Sequence, residues 1–349
     1  MLFLTSLKTQ YENLGDQAIG AVMVARASQA VHMACLIDGV PADYLAEFKA
    51  LVAQLGGRDV AYVGRGDALK LVARTLLAGR RVGLFFSPGD IRADRSAKTR
   101  QAIVAAARAL GRFRFAQVGT SYASVGPENA QLFRVLAAAG HPVTVRDGTS
   151  RARLAAAGVT LPIVPDLAFG LPTNAHAGGR RAVFAFRETE GVSTDDLVAR
   201  LARLVAQVRA AGLEPVLFWQ VARDAALART LAERLAIPNL NADDRRPTYA
   251  QAAAVYAGAA AMFSNRLHSL LVAAAQGALP FATLHPAEIK VRGVFDHAGL
   301  THLVSSTPEE DADTFVRASA DMDAQRTRVA EAFARERALL DGYFARVAG

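Results

Sequence analysis

The chain has 349 residues, 52% hydrophobic and 21% charged, a balance that excludes a disordered polymer and leads us to expect two domains. No apolar run reaches the ~18–20 residues of a membrane span, the start MLFLTSLKTQ lacks the features of a signal peptide, and a lone cysteine, Cys35, excludes an internal disulfide framework; the expected location is the cytoplasm. A net charge of +8 favours anionic partners, but Arg200, Arg203, Arg209, Arg223 and Arg229 are spread singly along helical stretches with no stacking platform, so no nucleic-acid partner is expected.

In chain order, the strands expected first are LFLTS from Leu2, VHMACLI from Val31, VAYVG from Val60, VGLFF from Val82, FAQVG from Phe115 and VTVR from Val143. Helix-length stretches lie between them, at Tyr44 to Leu55, Ala97 to Leu110 and Glu128 to Ala138. Near-continuous apolar strands alternating with helices imply parallel sheets covered on both faces. The segment LPTNAHAGGRR, Leu171 to Arg181, breaks the pattern with Pro, Asn and paired Gly. Beyond it come AVFAF, a helix from Thr194 to Ala211, PVLFW, a helix from Asp224 to Ala236, then AAMFS, a helix and PFATL, with a charged helical tail from Pro308 to Val347. The expected architecture is α/β, two doubly wound Rossmann-like domains facing a cleft: residues 1–172, residues 180–325, and a last helix, 326–349, packing back on the first domain. Ligands of such sheets bind beyond the carboxyl ends of the strands.

Familiar motifs are absent: no phosphate-binding loop of the Walker type, no HExxH, no paired CxxC and no GxSxG. Gly64-Arg65-Gly66 is read as a turn, Asp311 with Asp313 and Asp321 with Asp323 as solvated helix faces, and Cys35 as a core residue. No histidine pairs with another His or Cys at ligand spacing, so neither a metal nor a cofactor is expected.

The chemistry-bearing residues sit at strand ends. In AAMFSNRLHSLL, Arg266 and His268 follow a strand and open a helix, a place suited to holding a phosphate or carboxylate while a proton moves. Lys290, the only lysine after Lys98, follows the strand PFATL. Arg146 ends VTVR, with Ser150 as a candidate cap for the next helix, and Asp166 ends PIVPD. Near the start, Asn13, Gly15 and Asp16 lead into a helix; Gly15 permits close approach, and Asp16 either caps the helix or touches an acceptor hydroxyl.

Asn13-x-Gly15-Asp16, Arg146-Asp147 with Ser150, Asp166 with Phe169, Arg266-x-His268, Gly277 with Pro280, and Lys290 together resemble the polysaccharide pyruvyl transferases over nearly the whole chain. One departure is Ser87-Pro88-Gly89-Asp90, where many members carry a glycine-rich turn. The resemblance implies a GT-B-like fold and transfer of pyruvate from phosphoenolpyruvate to a glycan as a ketal, in cell-surface or exopolysaccharide biosynthesis. It implies that Arg146 and Arg266 bind phosphoenolpyruvate and that His268 and Lys290 are also required. The expected acceptor is a glycan or a lipid-linked saccharide, and the basic surface suits peripheral contact with the inner membrane face. Two rival readings remain: a GT-B glycosyltransferase using a nucleotide sugar, and a non-catalytic glycan-binding protein.

Overall fold

The computed structural model describes residues 1–91, 97–108, 111–175, 178–241, 243–286 and 288–348. It divides into two compact units. The first holds Met1–Tyr11, Asp16–Gly170 and Arg337–Gly349, and the second Glu12–Gly15 and Leu171–Glu336.

The strands of the first unit are β1 (Leu2–Ser6), β2 (His32–Leu36), β3 (Val60–Val63), β4 (Val82–Phe85), β5 (Gly89–Ile91), β6 (Phe113–Ala116) and β7 (Thr120–Tyr122). Five form one parallel sheet in the order β3-β2-β1-β4-β6, while β5 pairs with β7. Gly83 lies against the ring of Phe3, and a Cβ there would fall 2.3 Å from that ring, so β4 needs glycine for β1 to carry its phenylalanine. The expected strand VTVR is present only as isolated parallel bridges, Gln117 with Val143 and Val145 with Ile163. Backbone bonds run from Gln117 N to Pro142 O and from Thr144 N to Gln117 O, both at 3.0 Å, and side chains add to them: Gln117 Nε2 donates to Thr144 O at 2.9 Å and Thr144 Oγ1 donates to Gln117 O at 2.7 Å. Cys35 is fully buried, and burial pushes its thiol up to about 12, as suits a core residue.

The second unit carries β8 (Arg181–Ala185), β9 (Glu214–Leu217), β10 (Ala259–Ser264), β11 (Leu279–Thr283) and β12 (Val304–Ser305), all parallel, in the order β12-β11-β10-β8-β9. Phe184, Phe263 and Phe281 stack across the three middle strands with centroids 4.9 Å apart at each step. Phe315, from the helix Pro308–Ser319, meets the last two edge-on at 5.6 Å. Both sheets are α/β and parallel, as strand–helix alternation required.

Three local readings are corrected. Gly64-Arg65-Gly66 is no turn: Gly64 is the N-cap of the helix Arg65–Leu77, and Arg65 N donates to Asp38 Oδ2 at 3.0 Å. Asp311 does not face water; it is buried and takes both Nε and Nη2 of Arg200, at 2.6 and 2.8 Å. The helix expected from Asp224 begins one residue later, as Ala225–Leu235, because a single 3-10 turn, Ala222–Asp224, comes first. Among the described residues no helix is long and apolar enough to cross a membrane.

Candidate functional site

The carboxyl ends of the second sheet gather polar groups that the apolar strands cannot use. β10 ends at Ser264, and Arg266 is the N-cap position of the helix Leu267–Ala275, with His268 in its first turn. Arg266 N donates to Ser264 Oγ at 2.9 Å, which fixes the turn. The Arg266 guanidinium reaches both carboxylate oxygens of Asp224, the last residue of the 3-10 turn after β9. Both side chains are largely buried. Burial pushes the Asp224 carboxyl up and the Arg266 guanidinium down, and their contact opposes both shifts. The charges of Arg187 and Arg223 also bear on this pair.

Beyond β8, Asn265 clasps the chain at Arg187. Arg187 N donates to Asn265 Oδ1 and Asn265 Nδ2 donates to Arg187 O, both at 2.9 Å, while a further N–H reaches Thr189 Oγ1 at 3.1 Å. Beyond β11, Glu288 Oε1 accepts from Arg187 Nη2 at 3.0 Å and from Thr189 Oγ1 at 3.2 Å, and its Oε2 accepts from His285 N at 2.9 Å. Glu288 immediately precedes the helix Ile289–His297, whose second residue is the half-buried Lys290.

The short segment Glu12–Gly15 belongs to this unit. Asn13 bridges Val221, Leu14 N donates to Gln220 O at 3.2 Å, and Ala222 N donates to Glu12 O at 3.1 Å. Asn13 Oδ1 accepts from Gly15 N at 3.0 Å, closing a tight turn. Gly15 rests on the imidazole: a Cβ there would lie 2.5 Å from His268 Cβ and 2.7 Å from Nδ1. The helix starts at Leu14, so Asp16 lies inside its first turn and the cap-like contact falls to Asn13; Asp16 Oδ2 accepts from Thr9 Oγ1 at 3.0 Å.

Arg146 and Asp166 belong to the first unit. Arg146 is 1% exposed, with Nη1 on Asp166 Oδ2 at 2.7 Å and Nε on Ser121 Oγ at 2.6 Å. Asp166 Oδ1 also accepts from Ala168 N at 2.9 Å. The cap of the next helix is Asp147, accepting from Ser150 N at 2.6 Å, and not Ser150, whose hydroxyl donates to Asp147 Oδ2 and accepts from Tyr122 N.

The second unit therefore brings Gly15 onto His268 beside Arg266, with Asn13 bridging Val221 beyond the end of β9. It adds Arg187, Asp224, Asn265 and Glu288, which the sequence did not single out. Asn265, adjoining Arg266, was the one signal available: a polar residue directly after six buried strand residues. Such an edge, with clustered cations and a helix start, suits a small polyanion. Among the described residues no group of three His, Cys, Asp or Glu stands ready for a metal ion.

Residues 13–278 match the family model of the polysaccharide pyruvyl transferases. That span includes Asn13, Arg187, Asp224, Arg266 and His268 and stops short of Glu288 and Lys290. A comparison with curated proteins finds no match. Among solved structures, a glycosyltransferase from Rickettsia africae is similar at a TM-score of 0.59 and 9% identity, over 99% of this chain and 98% of that one. UDP-GlcNAc 2-epimerase from Neisseria meningitidis, bound to UDP-GlcNAc, is similar at 0.53 and 10%, over 94% of each chain. A mutant of the Thermobaculum terrenum O-GlcNAc transferase is similar at 0.52 and 15%, over 99% of this chain but 66% of that one. At such identities the likeness is one of fold, the paired parallel α/β sheets of GT-B glycosyltransferases.

Proposed function

Since the chain belongs to the polysaccharide pyruvyl transferase family, we propose that it transfers pyruvate from phosphoenolpyruvate to two hydroxyls of a glycan sugar, free or lipid-linked, as a ketal. The observation that carries the reading is the pairing of Arg266 with His268 at one helix start, with Asp224 behind the guanidinium and Gly15 against the imidazole.

Phosphoenolpyruvate brings a carboxylate and a phosphate. At an effective dielectric of about 20, each charge pair at ~4 Å contributes about 4 kcal/mol before desolvation, so several cations are needed. Arg266, Arg187 and Lys290 take that task in this reading. One sugar hydroxyl adds to the central carbon, its proton goes through His268 to the methylene carbon, and a tetrahedral phosphate ester forms. A second hydroxyl then displaces phosphate, which leaves with that hydroxyl's proton, and the ketal closes. A positioned imidazole is worth roughly 10²–10⁴ in rate for such proton transfers. The resemblance also implies that Arg146 binds the donor, and Asp166 is a further candidate for substrate binding. Because Arg146 is bound to Asp166 and to Ser121 of β7 inside the first unit, it holds β7 in this reading, and the donor's first grip falls to Arg266. Asn13, Gly15 and Asp16 are assigned to the acceptor side, Gly15 also keeping His268 in place.

Calorimetric titration with phosphoenolpyruvate tests the reading. Wild type binds, Arg266→Ala loses at least tenfold in affinity, and His268→Ala keeps binding while phosphate release with acceptor drops by 10² or more. Stabilisation by a uridine or guanosine diphosphate, with no heat from phosphoenolpyruvate, would overturn it in favour of a nucleotide-sugar transferase.

A further inference from the structure

The helix Arg65–Leu77 has two apolar faces and the core uses one. Ala68, Leu71, Val72 and Leu76 pack with Leu2, Ala34 and Val82 of the first sheet. On the outer side Arg65, Leu69, Ala73 and Leu77 recur every four residues, with Lys70 and Arg74 alongside. Leu69 is 71% and Leu77 88% exposed, the two most exposed large hydrophobic residues among those described. Among the described residues nothing in the first unit covers them.

The charge around this stripe is one-sided. Between residues 65 and 81 stand Arg65, Lys70, Arg74, Arg80 and Arg81 against a single acid, Asp67, a net +4 out of the chain's +8. Asp67 is occupied by Lys70 at 2.9 Å, and the neighbouring Asp38 accepts from Arg65 N at the helix start. Beside the start of β4, Val82 N donates to Arg112 O at 3.0 Å, which sets the backbone of Arg112 next to that of Val82. Burial, and then the charge of Arg81, push the Arg114 guanidinium down.

We propose that this helix, with Arg80 and Arg81, is a docking surface for an anionic lipid bilayer. Leucines flanked by long cationic side chains match a layer with phosphates outside and hydrocarbon beneath, because the stems of Lys and Arg lie along apolar surface while their heads stay with the phosphates. A second copy of the chain fits less well, since a two-fold contact would set +4 against +4. Nucleic acid would use the cations and leave both leucines without a partner.

The test is co-sedimentation with vesicles of phosphatidylcholine, with and without phosphatidylglycerol. Neither donor nor acceptor is present, so the outcome is independent of the reaction assignment. Wild type binds the phosphatidylglycerol vesicles, does not bind phosphatidylcholine alone, and is released as salt rises. Leu69→Ser with Leu77→Ser weakens binding roughly tenfold or more, and Arg74→Gln with Arg80→Gln weakens it about 25-fold. Both variants alter only exposed side chains, so their melting temperatures stay at the wild-type value. Absence of wild-type binding, or binding unchanged in both variants, overturns the proposal. So does a wild-type dimer in light scattering that the leucine variant splits, which would hand the stripe to a second copy.

Discussion

Asp224 holds the guanidinium of Arg266 through both carboxylate oxygens, and both side chains are largely withdrawn from water. A buried charge stripped of its counter-ion costs about 3–5 kcal/mol. Asp224→Asn therefore lowers the unfolding free energy by about that amount, measured by denaturant titration, and turnover falls with it as Arg266 loses its setting. If Arg266 holds the donor as proposed, saturating phosphoenolpyruvate recovers part of the lost stability by returning negative charge to the guanidinium. Equal stability and turnover in variant and wild type would show the ion pair to be idle. Arg146 with Asp166 is a second arginine–aspartate pair, buried more completely. The two arginines look alike in sequence, since each stands at the end of an expected strand; only the surroundings separate one inside the first unit from one at the carboxyl edge of the second sheet.

At the scale of elements, the site depends on a four-residue segment from the start of the chain. Glu12–Gly15 is tied to Gln220, Val221 and Ala222 by backbone contacts and lays a glycine on His268. Gly15→Ala puts a methyl group where the imidazole stands, 2.5 Å from its Cβ. Overpacking of this kind costs about 1–3 kcal/mol, and the imidazole is the side chain that yields. The expected outcome is turnover lowered at least tenfold, with the half-saturating concentration of phosphoenolpyruvate nearly unchanged, read from steady-state phosphate release. A matching fall in donor affinity would mean that the segment serves Arg266 instead. The ion pair of Arg200 with Asp311 shows the same dependence on context. It joins the helices Thr194–Ala210 and Pro308–Ser319, although Asp311 read as part of a solvated helix face in the sequence.

For the molecule as a whole, one histidine in each unit is held toward the neutral form. Burial, and then Arg114, push His141 down; burial and the charge of Arg328 push His302 down against a hydrogen bond with Gln325. An unfolded imidazole takes its proton near pH 6.5. The stability these groups contribute is thus complete above about pH 6.5 and is lost as pH falls toward the depressed folded values. Melting at pH 5.5 should come below melting at pH 7.5, and the double variant His141→Asn with His302→Asn should narrow that gap. An unchanged gap would assign the acid sensitivity to other groups.

The parallel α/β character was legible because it rests on local patterns: apolar runs such as VGLFF and AAMFS have only one way to be buried on both faces, and the intervening helices follow by length and period. The positions of Arg266 and His268 were legible for a related reason, since a strand end followed by a helix start is a local event. VTVR failed as a continuous strand because its backbone changes partner at each step, Thr144 N donating to Gln117 O, Val145 N to Pro162 O and Arg146 N to Thr120 O. Asp224, Glu288, Arg187 and the contact of Gly15 with His268 were beyond reach of the sequence. Each joins residues tens to hundreds of positions apart, and no spacing rule along the chain encodes which strand ends the sheet order brings side by side.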